Sequence, residues 1–140
     1  MPADAPRRRL ARKLAAESEA YGYSLTTWGV GALAIRAFGV PSVLGVVGFV
    51  GGAVCGFAVL AAVAFDGLLG ETDVSDRPLA VVSTVHVAST LGTLLAGQAV
   101  IRLAGSALPV PAALFCVGVT LTVAYNALLT GEAAVARIVL

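Results

Sequence analysis

The chain has 140 residues, of which 59% are hydrophobic and only 12% are charged, and its formal net charge is +1. Soluble globular domains are about half apolar and a quarter charged, so this composition argues against a soluble enzyme or a disordered tail. A net charge near zero provides no field for a polyanion, and we therefore expect no nucleic-acid partner. The composition instead predicts a small integral membrane protein in direct contact with the lipid bilayer.

Residues 1–20 form a basic segment ahead of the first apolar stretch. Leu10 and Leu14 lie one helical turn apart, and Lys13 and Glu17 have the spacing of an intrahelical ion pair. These spacings predict a short amphipathic helix over residues 5–20. Two roles remain open for it: anchoring on anionic lipid, or docking on the acidic loop of residues 66–78.

Four membrane spans are predicted in residues 21–140, because about 20 mostly apolar residues are needed to cross the hydrocarbon core. We place them at residues 21–39, 43–65, 79–101 and 109–129. The first is the most polar, since it begins with Tyr, Ser and Thr residues. Proline interrupts a helix interior, and all the prolines lie in the N-terminal segment or at predicted span edges. The predicted fold is an all-α, integral membrane four-helix bundle.

Orientation follows from the distribution of Lys and Arg, which are enriched in cytoplasmic loops. Under the four-span assignment, Arg36 and Arg102 lie on one side and the other seven basic residues lie on the opposite side. Both termini are therefore predicted to lie in the cytoplasm, with the bundle in the plasma membrane. The eight Arg residues against one Lys, with abundant Ala, suggest a GC-rich prokaryotic genome.

The two halves of the sequence resemble each other in two blocks. Residues 34–36 (Ala-Ile-Arg) match residues 100–102 (Val-Ile-Arg), and residues 64–69 match residues 124–129 after an insertion of about six residues. A duplicated helical hairpin would place its halves around a pseudo-two-fold axis along the membrane normal. Chance similarity between Ala- and Val-rich spans is the alternative. In that case Arg36 and Arg102 are only interface charges that reach the headgroups.

Helix packing in a bilayer relies on close backbone approach, and the second span has the required pattern. Gly48, Gly52 and Gly56 recur every four residues as a double GxxxG motif. The partner of this glycine stripe is either a helix of the same chain or a second copy. The first span offers a comparable face of small residues: Ser24, Thr27, Gly31 and Ala34.

The third span is the polar one, and His86 is the only histidine of the chain. A helical arc of about 120° collects the polar residues and one glycine: Ser83, His86, Ser89, Thr90, Thr93 and Gly97. Such a face is expected to point into the bundle, because unsatisfied polar groups facing lipid are costly.

Three interpretations of His86 remain open. It could relay protons along a polar path, since an ionisable residue inside a span is by default a functional hypothesis. It could instead be a structural imidazole that bonds to a Ser or Thr of a neighbouring helix. Haem ligation by two histidines of a dimer is the third interpretation.

Other chemistry lacks the necessary residues. One His and two separated cysteines, Cys55 and Cys116, cannot form a protein-only tetrahedral metal site, and we interpret the cysteines as unpaired packing residues. No phosphate-binding loop or nucleophile motif is found. We therefore expect no metal, no cofactor and no enzymatic activity.

Two functional hypotheses follow. The leading one is a non-enzymatic scaffold, accessory subunit or homo-oligomer whose glycine-rich helices dock on partners in the membrane. The alternative is a small channel or proton-coupled transporter that uses the polar face around His86.

Overall fold

The structure is a computed structural model that describes residues 4–64 and 86–139. Within these ranges every regular element is a helix, in the order α1 (Asp4–Phe38), α2 (Val43–Ala64), α3 (His86–Ala107) and α4 (Val110–Val139). Three helical stretches are long and apolar enough to cross a membrane, namely α2, α3 and the part of α4 that ends at Val135. The all-α four-helix bundle predicted from the sequence is confirmed.

The basic segment and the first predicted span form one continuous helix, α1, instead of two separate elements. The expected boundary at residue 20 rested on a change of polarity, but no proline lies near it, and good helix formers precede it. The helix ends where Gly39 adopts a positive φ of 77° and donates its backbone N–H to the carbonyl oxygen of Ile35 at 2.8 Å. This is a left-handed cap, a conformation that glycine adopts without steric cost.

Two of the other helices continue past their predicted ends. Helix α3 ends at Ala107 and α4 ends at Val139. The apolar pattern had predicted that the corresponding spans end at residues 101 and 129. The predicted start of the third span, residues 79–85, lies outside the described residues. Helix α2 begins as predicted, because the Ser42 hydroxyl oxygen accepts a hydrogen bond of 3.2 Å from the backbone N–H of Gly45.

Helices α1 and α3 pack side by side in the same direction. At one end the Ser18 and His86 side chains share a hydrogen bond, and at the other end Phe38 packs against Gly105. We call the first the terminal end and the second, where the short α1–α2 and α3–α4 connections lie, the loop end. The part of α1 after Ser18 thus covers the same height as α3. Helix α1 is nevertheless not among the helices that qualify as membrane spans by length and hydropathy.

Helices α2 and α4 are also parallel, and they touch backbone to backbone. A Cβ atom on Gly52 would collide with the carbonyl oxygen of Phe115, and one on Gly118 would collide with that of Phe49. The rest of the predicted glycine stripe faces α4 in the same way, at Gly48 and Gly56. The stripe is therefore occupied by a helix of the same chain.

This reciprocal contact has the geometry of a local two-fold axis between α2 and α4. Phe49 and Phe115 are 66 positions apart, and so are Gly52 and Gly118. Arg36 and Arg102, in the first of the two matching blocks, have the same separation. Parallel pairing of α1 with α3 and of α2 with α4 is the arrangement that a duplicated hairpin produces.

The second matching block does not follow this register. Its residues are 60 positions apart, which would pair Asn126 with Asp66. In the structure, Asn126 instead lines a groove together with Leu60 and Ala61. Asp66 itself lies outside the described residues. The offset of 66 residues needs no insertion between the halves. The residues of the second block are similar in sequence but do not occupy equivalent positions in the structure.

The two hairpins are packed differently. Helix α3 lies along α4, with Gly92 against the Leu128 side chain. Among the described residues, α2 packs against α4 alone and makes no corresponding contact with α1. An open groove is left between α1 and α2, and α4 forms its floor.

The apolar core lies between α1, α3 and α4, towards the loop end. Its buried side chains are Val30, Ala34, Ile101, Leu114, Val117 and Leu121. Val30 packs directly on Gly97, which allows α1 and α3 to approach closely. This core leaves only the terminal-end half of the three-helix interior for polar groups.

The α2–α4 contact predicts a sharp difference between two adjacent glycines. Gly52→Ala should destabilise the protein by about 1–3 kcal/mol, because the new methyl group must push two backbones apart. Gly51→Ala is the matched control, since a Cβ at Gly51 meets no atom within 4 Å. Thermal unfolding in detergent, followed by circular dichroism, measures both. Equal stability of the two variants would contradict the backbone contact.

Candidate functional site at the terminal end of the bundle

The polar face predicted on α3 points into the bundle. Ser89 and Thr93 are both 0% exposed, and Gly97 is also buried. His86 and Thr90 are partly buried, while Ser83 lies outside the described residues. The helical arc identified in the sequence is thus directed at α1 and α4.

His86 contacts α1 at the terminal end. Its Nε2 atom and the Ser18 hydroxyl share a hydrogen bond of 2.9 Å, whose direction depends on the imidazole tautomer. The structural interpretation of His86 requires such a bond to a Ser or Thr of another helix. The bond fixes the ring but leaves the second ring nitrogen available.

Glu132 joins this face from α4, where the sequence predicted no acid. The Ser89 hydroxyl donates a hydrogen bond of 2.7 Å to Glu132 Oε2. Helix α4 continues beyond residue 129, where the fourth span was predicted to end, and thereby brings this carboxylate to the face of α3. The stretch of α4 that could cross a membrane ends at Val135 and includes Glu132.

Two tyrosines form the next layer towards the bundle centre. Tyr125 Oη donates to the backbone carbonyl of Glu19 at 3.1 Å, and Tyr23 and Thr122 share a hydrogen bond of 3.0 Å. The two rings meet edge to face with centroids 5.4 Å apart. Gly22 makes the approach possible, since a Cβ there would lie 2.5 Å from Tyr125 Oη.

Three polar atoms of this region are buried without a hydrogen-bond partner among the described residues: His86 Nδ1, Thr93 Oγ1 and Glu132 Oε1. Most buried polar groups in proteins are paired, so three such atoms in one region are unusual. We use the name terminal-end cluster for the following side chains: Ser18, His86, Ser89, Thr93, Tyr125 and Glu132.

The terminal-end cluster does not continue through the bundle. From His86 to Thr93 it extends about 10 Å along α3, as given by the helix rise. Beyond it, the inward face of α3 carries Gly97, Ile101 and Ala104. Within the described helices, an apolar core therefore separates the cluster from the loop end.

The remaining predicted residues lie away from this cluster. Arg36 and Arg102 are exposed near the loop end. They lie at the same height, as expected for two residues that are 66 positions apart in the matching halves. Cys55 and Cys116 are free thiols. No group of three or more His, Cys, Asp or Glu side chains that could hold a metal ion is found in the part of the chain that the structure describes.

Sequence reasoning missed Ser18, Tyr125 and Glu132 as members of the cluster. A signal for Glu132 does exist: it extends the three-to-four-residue spacing of the buried positions Leu121 and Tyr125 beyond the apolar stretch. Ser18 carried no comparable signal, because it was assigned to a separate amphipathic helix.

Comparison with known protein families, with curated proteins and with solved structures finds no match in any of the three. Function must therefore be argued from the geometry of the chain itself.

The tyrosine layer yields a matched pair of variants. Tyr23→Phe should lower the free energy of unfolding by about 1 kcal/mol, because it removes the hydrogen bond to the buried Thr122 hydroxyl. Tyr21→Phe should have no effect, since the Tyr21 side chain is 68% exposed. Unfolding by denaturant in detergent micelles measures the difference. An unchanged stability of Tyr23→Phe would show that the bond contributes nothing.

Proposed function

We propose that the protein is a non-enzymatic membrane subunit that self-associates through the groove between α1 and α2. In this proposal the chain is a multi-pass protein of a prokaryotic plasma membrane, with both termini in the cytoplasm. The observation that carries the proposal is that α2 packs against a single described helix, α4, although it is the most apolar of the described helices.

The groove runs between α1 and α2 in two parts. Its terminal-end part has a volume of about 560 Å³ and its loop-end part a volume of about 150 Å³, and the two meet at Phe49. Thr27 and Gly31 of the small-residue face lie on its α1 wall. A Cβ added at Gly31 would meet no atom within 4 Å. These small residues exceed what packing among the described helices uses.

A second copy of the chain is the occupant that we propose for this groove. The walls of the groove are mostly apolar, which suits a membrane helix. Helix α1 of a second copy would run parallel to the first α1, because a dimer axis along the membrane normal keeps equivalent helices parallel.

Two glycines with equally free surroundings test this assembly. Gly31→Leu should abolish the dimer, because its side chain fills the groove where the second α1 would lie. Gly51→Leu should preserve it, since a Cβ added at Gly51 also meets no atom within 4 Å and Gly51 lines neither part of the groove. Native mass spectrometry of the protein gently extracted from its own membrane measures the outcome.

The masses separate the possibilities clearly. A dimer that Gly31→Leu converts to a monomer supports self-association through the groove. A dimer that survives Gly31→Leu, or a monomer from the wild-type chain, overturns it. A mass that includes another protein supports the accessory-subunit form of the leading hypothesis and overturns the homo-oligomer.

A small channel or proton-coupled transporter is the second candidate function. The observation in its favour is that Glu132 brings a carboxylate to the polar face that contains His86 and Ser89. Ionisable groups that face a bundle interior mark ion pathways and proton relays. Against it stands the apolar core, which ends the polar face above Thr93. A conduit would need a rearrangement or a second copy to reach the loop end.

Transport makes a direct prediction for His86. His86→Ala should abolish a pH-dependent flux of protons into liposomes that contain the purified protein, if this imidazole carries the proton. Helical circular dichroism and gel filtration of the variant show whether it still folds. Equal flux through the wild type, His86→Ala and empty liposomes would remove the transporter candidate.

A further inference from the structure

Glu132 is a buried carboxylate that is only half satisfied by the protein. Oε2 accepts the hydrogen bond from Ser89, whereas Oε1 is buried without a partner among the described residues. Burying an ionised carboxylate with an oxygen that accepts no hydrogen bond is costly. A positive charge at Oε1 would remove this cost.

No described Lys or Arg supplies that charge. Lys13 pairs with Glu17 on the exposed side of α1, and Arg9 is exposed on the same helix. Arg36 and Arg102 are exposed near the opposite, loop end of the bundle. None of the four side chains forms an ion pair with Glu132. Among the basic side chains that the structure describes, none therefore neutralises Glu132.

Thr93 provides a second oxygen on the same face. It is fully buried, one helical turn beyond Ser89, and its hydroxyl oxygen has no partner among the described residues. Threonines commonly bond to the carbonyl four residues earlier, and four others in these helices do so: Thr26, Thr27, Thr120 and Thr130. The Thr93 hydroxyl is not used in this way and remains available as a ligand.

We propose that the terminal-end cluster binds one small monovalent cation, Na⁺, at the carboxylate of Glu132. Ser89 and Thr93 contribute hydroxyl oxygens, which are suitable ligands for a hard cation. A single charge balances the single carboxylate, whereas a divalent ion would leave an excess charge in a buried site. The proposal does not depend on self-association, because all the residues involved belong to one chain.

The other titratable groups around the site are few. His86 lies one turn from Ser89 on α3, Tyr125 lies on α4, and Glu19 lies on α1, where its carbonyl accepts the Tyr125 hydroxyl. Tyr125 is close enough to feel the charges of both Glu19 and Glu132.

The test uses the full-length chain in detergent, with NaCl replaced stepwise by choline chloride at constant ionic strength. If Na⁺ is the ligand, the melting temperature should rise by roughly 5–10 °C at a hundredfold excess over the dissociation constant. Glu132→Gln should lose this rise, and ²²Na⁺ should bind the wild type at one ion per chain. Glu17→Gln is the matched control, since that carboxylate is exposed on α1.

Thr93→Val keeps the side-chain shape and serves as a second variant if Glu132→Gln fails to fold. It should also lose the Na⁺-dependent rise in melting temperature, because it removes one of the proposed ligands. A wild type that melts at the same temperature in Na⁺ and in choline and binds no ²²Na⁺ overturns the proposal. A Na⁺ effect that Glu132→Gln or Thr93→Val retains in full overturns it as well.

Discussion

The backbone contact between α2 and α4 is the interaction on which the arrangement of the chain depends. Lipid tails are as apolar as leucine, so burial of apolar side chains gives two helices little reason to associate in a bilayer. Close approach of their backbones does, and only glycine allows it at Gly52 and Gly118. This contact fixes α2 against α4 on one face. In the described part of the chain, no other helix packs against the remaining faces of α2.

Helix α4 consequently becomes the central helix, because it packs against each of the other three. Its face towards α2 carries Gly118, and its face towards α1 and α3 carries Leu121, Tyr125 and Glu132. The second face changes from apolar to polar along its length. The bundle interior is therefore a closed apolar core near the loop end and a polar cluster near the terminal end.

Much of this arrangement could be predicted from sequence, since the responsible forces act locally. The apolar length of α2, the glycine stripe and the inward polar face of α3 all depend on residue spacing within one helix. What could not be predicted depends on tertiary contacts or on the choice of boundary. Hydropathy ended the fourth span at residue 129, although helical hydrogen bonding continues through Glu132.

The matched halves illustrate the same limit. The similarity of residues 34–36 to residues 100–102 identified the correct register, because identical residues there occupy the same height in parallel helices. The similarity of residues 64–69 to residues 124–129 did not. Composition alone produces such matches in Ala- and Leu-rich helices, and only the Gly52 and Gly118 contacts distinguish the two registers.

The groove and the terminal-end cluster meet at Tyr125. Its side chain lines the groove between α1 and α2, while its hydroxyl donates to the carbonyl of Glu19 and lies within electrostatic range of Glu132. The Tyr125 side chain is only 2% exposed in the single chain, so it already shields the cluster from the groove. A helix in the groove would pack on the outer side of this tyrosine and leave the surroundings of Glu132 unchanged. The assembly and cation proposals therefore concern opposite sides of one buried side chain, and either can hold without the other.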